Sequence, residues 1–503
     1  MTFLRALSFA SCLALAACAY RPPRFVDAPA VERVADREPI PMPTPRRLMR
    51  ALHDANVYVR RELVRALDPR GASDAGDVNA LDEVPESAFF RRLEDLGRPL
   101  VGFRRDGAPV SPLRDRGVPP ASEAPGARTI VDARGLGYEL VPDEPNHRGR
   151  MSGAAATSSR LLHAIGYRVA EVHVVDLEGE RFAATRWPVG VDLGPTAAEG
   201  TRDDDPNDRL DHRDRRTLRS LRLAAAWLDI VDLEPRMLRD HYLGEPGEGH
   251  VEHTLIGIDG ALGVGTLRAA EAWARDPDRA DENFFFRMFT LGLSPIPRAK
   301  PPVAAFTSVG LLEPFVLPGS FSPSPPFSPS DRMTPADGYW LAKRVATIPS
   351  RVLRRAVLAS KLPPLEQNWL LQMLELRRAQ IVAWAYDRVT PLDPGLLSPA
   401  NPSRGLEARL LLADRAVLSR MTPAESSSYD VEFLDDEGAP LARKRGLACD
   451  RGIVTLPLGA ELQAREYVVA EVTARRAGKA LPRPVELHFR RRGEALALVG
   501  VRH

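Results

Sequence analysis

The sequence predicts an α+β protein in two parts, a mixed body and a small all-β sandwich after it. Three observations carry this. Residues 127 to 263 read in order as a hairpin, a helix, two strands, a buried helix and a strand ending in a turn. Helical periodicity returns between 335 and 388, and the last hundred residues hold five or more short alternating segments separated by turn residues. At 503 residues the chain has room for two or three domains, each with its own core.

Composition sets limits but names no chemistry. Hydrophobic residues make up 44%, a globular value, and a formal charge of +2 gives no reason to expect nucleic acid as a partner. The first residues are more specific. Arg5 is followed by ALSFASCLALAAC, too short to span a bilayer and of signal-peptide proportions. It ends in Leu15-Ala16-Ala17-Cys18, the pattern of small residues and then Cys that marks a bacterial lipoprotein signal. In that reading residues 1–17 are removed and Cys18 carries lipid; the alternative is an ordinary secretory peptide with an incidental Cys. Ala19 after the Cys points to the outer membrane of a Gram-negative envelope, either its periplasmic face or the cell surface. Cys12 lies in the signal and Cys449 is left alone, so the mature chain has no disulfide and no thiol-based metal site is expected.

Residues 18–47, rich in Pro and charge, read as a flexible tether. A helix is expected over Leu48–Leu67, and 77–93 leads through a loop into a short amphipathic turn. ARTIVDARGLGYELVPD alternates about a Gly-containing turn and predicts a hairpin. A helix over Ala154–Ile165 stops at Gly166, and VAEVHVVDL and RFAATRWPV are strands joined by Glu178-Gly179. Asp214–Leu233 predicts one helix, apolar nearly all round in its second half and ending at Asp232, and Glu252–Ile258 predicts the strand that follows. The Pro/Ser-rich stretch 294–330 is expected to be a surface excursion packed by Phe306, Phe315 and Phe321. Helices follow over Pro335–Ala346, Ser350–Ala359 and Leu365–Arg388. A boundary near 395–405 separates the body (48–395) from the sandwich (403–503).

The order hairpin, helix, strands, buried helix ending in Asp, strand ending in an Asp-containing turn matches that of a kinase fold. EVPESAFF, RLLHAIGY, RWPVGVDLGP, RDDDPNDRLDHRDRRTLRSLRLAAAWLDIVD, HTLIGIDGALG and DRMTPADGYWLAKRV resemble a widespread family of uncharacterised bacterial proteins, itself distantly similar to HipA- and CotH-type kinase-like folds. The resemblance runs from about Leu81 into the sandwich and is most specific over Arg202–Asp232. It implies two lobes, about 81–195 and 196–395, and a phosphate-transfer site. Residue by residue, that site is degenerate. Val141 stands at the position of the phosphate-binding Lys, Ala155 at the helix Glu that pairs it, Met237 at the metal-binding Asn and Gly257 at the metal-binding Asp. Only Asp232, the catalytic-type Asp, is kept. A pocket without the cation or the metal ligands has little to offset the charge of ATP.

The expectation is therefore an envelope-anchored protein with a pseudokinase-like domain that binds or scaffolds without catalysing, and that uses no cofactor. Its partners would be the membrane, through Cys18, and an envelope protein or glycan; in a third reading the sandwich is the module that binds a glycan or another envelope protein, with the rest as its support. The alternative is an atypical phosphotransferase using ATP with Mg²⁺ or Mn²⁺, with Asp232 as base and Asp259, beside Asp229, as displaced metal ligands. Strand alternation would place Asp259 on the same face as Gly257; against this, Asp259-Gly260 reads more simply as turn chemistry closing the strand.

Other candidates point to structure. Arg202–Arg216 holds six acids and five bases. Calcium binding by Asp203, Asp204, Asp205 and Asp208 lacks the Gly and terminal Glu of an EF-hand, and Asx-turns and helix capping fit better. His241, His250 and His253 lack the spacing and the Glu partner of a zinc site. Arg490-Arg491-Arg492 suits an edge strand protected by charge, or contact with anionic lipid.

Overall fold

A computed structural model of the chain describes residues 25, 30–46, 73–92, 107–118, 120, 124–233, 237–268, 303–323, 327–400 and 407–503. The signal peptide with Cys18 and the helix expected over Leu48–Leu67 lie outside the described residues. The chain divides into a β unit (Met1–Val31, Val78–Glu83 and Ala385–His503) and a mixed unit (Glu32–Asp77 and Val84–Trp384).

In the mixed unit an antiparallel five-stranded sheet has the order β1-β2-β3-β5-β4, from β1 (Arg114–Asp115), β2 (Arg128–Val131), β3 (Gly137–Pro142), β4 (Val172–Leu177) and β5 (Glu180–Arg186). The expected hairpin is β2–β3. Its turn is held by Asp132, whose Oδ1 accepts from the amides of Arg134 (2.9 Å) and Leu136 (3.0 Å). Glu178 and Gly179, both at positive φ (53° and 88°), make the tight β4–β5 turn. Between β3 and β4 lies helix α1 (Arg150–Ala164). It ends as expected at Gly166 (φ 102°), where a Cβ would come within 2.6 Å of the Phe90 ring and 2.7 Å of the Arg91 carbonyl.

The long helix expected over Asp214–Leu233 is interrupted. A 3-10 turn (His212–Asp214) and one helical turn (Arg216–Arg219) precede α2 (Leu221–Leu228). Asp229 takes the left-handed conformation (φ 48°), and the Ile230 amide bonds back to the Ala225 carbonyl at 3.0 Å. Asp tolerates that conformation and the β-branched Ile230 and Val231 favour leaving the helix, so Asp232 lies in irregular chain beyond its end.

A second sheet of three strands, β6 (Val191–Pro195), β7 (Leu238–Leu243) and β8 (His250–Leu255), has the order β6-β7-β8. Only β8 was legible beforehand. It stops before Gly257, which at φ 63° turns the chain into a 3-10 turn, Ile258–Gly260. Strand alternation therefore does not relate Gly257 to Asp259. Helices α3 (Pro335–Thr347), α4 (Ser350–Leu358) and α5 (Pro364–Tyr386) lie where periodicity put them.

Two expectations about loops are corrected. Residues 30–46, assigned to a flexible tether, run along the mixed unit from Glu32 on. The Val34 amide bonds Glu86 O (3.0 Å), Ile40 N bonds Gly249 O (2.9 Å) and Arg46 N bonds Leu193 O (2.7 Å). Extended chain with few side chains to bury still has backbone donors, and here strand edges receive them. In 303–323, Phe306 meets Trp369 edge-on (centroids 5.9 Å), but Phe315 is 80% exposed and packs nothing down.

The β unit holds nine antiparallel strands in one hydrogen-bonded order, β17-β16-β14-β11-β12-β13-β10-β9, with β15 beside β14. They are β9 (Leu392–Ser398), β10 (Ala408–Asp414), β11 (Ser427–Leu434), β12 (Pro440–Asp450), β13 (Ile453–Leu458), β14 (Tyr467–Arg476), β15 (Lys479–Ala480), β16 (Val485–Arg492) and β17 (Ala495–Arg502). The sheet begins at Leu392, ahead of the boundary expected at 395–405. Strand β12 pairs with β11 along most of its length and with β13 only through Cys449 and Asp450. It thus hinges two groups of strands, and residues from both groups (Leu410, Leu412, Val431, Val472, Leu487, Val501) share one core. The arginine run lies on β16, which is flanked by β14 and β17 and is not an edge.

Candidate functional site

Alternation in β3 divides its side chains. Tyr138 and Leu140 face a core with Ile130, Phe182 and Ala184, while Glu139 and Val141 face a cavity of about 450 Å³. On β5 their cross-strand partners Thr185 and Ala183 line the same cavity. Helix α1 adds Met151 and Ala155, one turn apart, and the opposite wall is built from Asp232, Met237, Arg239 and residues 256–259.

The positions singled out in the sequence therefore converge. Val141, Ala155, Asp232, Met237, Gly257 and Asp259 all line this cavity, although they come from a strand, a helix and three loop or turn segments. Asp229 does not. It lines a separate cavity of about 440 Å³ and is held by Thr266 Oγ1 (3.0 Å) and Arg377 Nη2 (3.4 Å). Burial pushes the Asp229 carboxyl upward against the opposing pull of Arg377.

Asp232 reaches the wall through two close approaches. A Cβ at Gly260 would lie 2.7 Å from Asp232 Oδ1 and 2.9 Å from its Cγ, and one at Gly265 would lie 3.0 Å from Val231 Cγ2. Segments 228–232 and 260–265 run side by side, with Leu262 N bonded to Leu228 O at 2.7 Å. Asp259 stands at the rim, 3.5 Å from Arg268 Nη1, and Arg268 Nε bonds Glu144 Oε1 at 3.0 Å. Glu144 also meets Arg150 Nη1 at 3.2 Å. Asp143 is committed to the start of α1: its oxygens accept from the amides of Gly149 (2.6 Å), Met151 (3.0 Å) and Ser152 (2.8 Å) and from Ser152 Oγ (2.8 Å).

Sequence reasoning missed Glu139, Asp143, Glu144, Arg239 and Arg268. Two signals were present: an acid on the Val141 face of an otherwise apolar strand, and an Asp-Glu pair between a strand and a helix, where caps occur. Among the described residues the lining carries five carboxylates (Glu139, Asp143, Glu144, Asp232, Asp259) and two guanidiniums (Arg239, Arg268), and no lysine. Arg239 is bound to Asp192 through Nε (3.1 Å) and Nη2 (2.5 Å). Charge balance and lining do not fit a nucleoside triphosphate. Among the described lining residues no cation stands beside Val141, and the carboxylates would repel phosphate. Among the described residues, no three His, Cys, Asp or Glu side chains are arranged to hold a metal ion.

The acid–base run at Arg202–Arg216 is used structurally. Asp208 accepts from Arg202 N (2.7 Å), His212 Nε2 (2.8 Å) and Arg215 Nη2 (2.7 Å), and Asp205 closes an Asx-turn on Asn207 N (2.9 Å). Asp204 accepts from Thr44 N at 2.8 Å. Behind the run, buried Asp240 binds Arg202 Nη1 (2.8 Å), His253 Nδ1 (2.8 Å) and the Thr196 hydroxyl. Phe89 stacks on His253 with centroids 3.7 Å apart. His253 is thus spent on a salt link, while His241 is buried on β7 and His250 half-buried on β8.

No protein-family model matches the chain, and no curated protein matches it. Among solved structures it is similar to the proinflammatory kinase CtkA of Helicobacter pylori, at 11% identity and a TM-score of 0.31, over 58% of this chain and 94% of that one.

Proposed function

We propose that the mixed unit is a kinase-like domain that transfers no phosphate and serves a lipid-anchored envelope protein as a binding or scaffolding module. One observation carries this reading: at the cavity where Val141, Ala155, Met237 and Gly257 converge, the described residues of the wall offer five carboxylates and no lysine. Such a wall favours a ligand with positive charge over a free polyphosphate. An envelope protein or a glycan is the class of partner proposed for the molecule as a whole. The test is thermal unfolding of the full mature chain with ATP and Mg²⁺ or Mn²⁺. No shift is expected, and a metal-dependent stabilisation of several degrees would overturn the reading.

The second reading, an atypical phosphotransferase, is favoured by the presence of both Asp232 and Asp259 on the cavity wall. It requires phosphate transfer or nucleotide hydrolysis that disappears in Asp232→Ala and in Asp259→Ala. Activity unaltered by both substitutions removes it.

The anchor is proposed from the Leu15-Ala16-Ala17-Cys18 signal. Metabolic labelling with a palmitate analogue should mark the wild-type protein and not Cys18→Ala; equal labelling of the two would refute the assignment.

A further inference from the structure

Phe25 lies only seven residues beyond Cys18 and is already seated in the β unit. Its backbone amide donates to Tyr467 Oη at 2.9 Å. Its ring lies against His488, with centroids 4.6 Å apart and planes at 57°, and packs on a cluster of Leu434, Tyr467, Val469 and Val499. The slot exists because residue 500 is glycine: a Cβ there would lie 2.6 Å from Phe25 Cδ1. Three adjacent strands, β14, β16 and β17, thus build a seat for one aromatic side chain of the N-terminal segment.

We propose that this seat sets how far the protein stands from the bilayer, so that the face of β14, β16 and β17 is held at the lipid surface. The inference rests on the reading that Cys18 is acylated. However the intervening chain is folded, seven residues span at most about 25 Å. The next described tie of this segment is the Val31 carbonyl, which accepts from Asn79 Nδ2 at 2.9 Å. With Phe25 unseated the leash grows from seven to thirteen residues and its reach to about 45 Å. Exposed Arg465, Arg491 and Arg492 lie on these strands and the turn before β14, interspersed with Glu466 and Glu494. The mixture of signs leaves the leash, not a charge patch, as the device that holds the face to lipid.

The experiment uses the mature, acylated full chain on phosphatidylcholine–phosphatidylglycerol vesicles. A donor dye sits at Glu466→Cys in a Cys449→Ser background. The acceptor is on the lipid headgroups, and the pair's Förster distance falls between the two reaches. Energy transfer should be high in the parent and should fall in both Phe25→Ser and Gly500→Ala, which empty the seat from opposite sides. Equal transfer in the parent and both variants, with all three bound to vesicles and retaining the parent's unfolding transition, overturns the proposal. Protein that stays in the supernatant overturns the anchor reading and the proposal with it.

Discussion

Asp240→Ala removes the centre of a buried polar cluster in the mixed unit, and its cost follows from the partners it strands. Asp240 is about 1% exposed and binds Arg202, its cross-strand neighbour His253, and Thr196. Truncating one member of a desolvated pair leaves the other charge buried, at a cost of about 3–5 kcal/mol. Arg202 keeps Asp204 Oδ1 (2.9 Å) and the Thr44 carbonyl, which argues for the lower end, about 3 kcal/mol. Asp240→Asn, which keeps the shape and loses the charge, should cost about 2 kcal/mol. Buried Trp227 and Trp340 report unfolding of this unit in urea by fluorescence.

The pH dependence has a definite sign. Burial alone would raise the Asp240 carboxyl, but His253, Thr196 and Arg202 outweigh it and hold the carboxyl below its ordinary range. A carboxylate depressed in the folded state contributes stability that is fully present above the unfolded value of about 4 and is lost as pH falls through the folded value. The gap between the parent and Asp240→Asn should therefore be larger at about pH 5 than below about pH 4, where it narrows. A gap under about 1 kcal/mol at neutral pH, or one that widens in acid, would refute the assignment of Asp240 as the ionic centre.

Three further outcomes are expected. Asp143→Ala uncaps α1 and leaves three amides without their acceptor, so calorimetry should find a loss of about 2 kcal/mol, whereas a neutral effect would mean water replaces the cap. Gly260→Ala drives a methyl into the Asp232 carboxylate and should cost about 1–3 kcal/mol; a crystal structure of the variant with Asp232 unmoved would contradict the close approach. Tyr429→Phe deletes a hydroxyl held between Asp414 and Arg476 in the β unit, for which far-UV circular dichroism in urea should show about 1–2 kcal/mol of destabilisation.

What could be read from the sequence was whatever depended on local pattern. The β2–β3 hairpin, the stop of α1 at Gly166 and the three helices after 335 each carry their own turn residue or apolar stripe. The break at Asp229 could not be read that way. LRLAAAWLDIVDL is continuously apolar, and the left-handed residue is an Asp in place of the Gly that normally announces such a turn. Strand β12, PLARKRGLACD, escaped notice because it is largely exposed and carries no alternating apolar face. The cavity was half legible: the resemblance named positions that converge, whereas Glu139, Arg239 and Arg268 join them only through tertiary placement.

The three chain pieces of the β unit make its closure a long-range event of folding. His503 binds Asp82 through Nδ1 at 2.8 Å, and Val501 N bonds Ala80 O at 2.8 Å. Those partners are 421 residues apart along the chain. The seat for Phe25 is likewise incomplete until Gly500 is made. A chain truncated within the last strand would therefore hold a sheet without its closing edge, and residues near both ends of the chain must meet before this unit is complete.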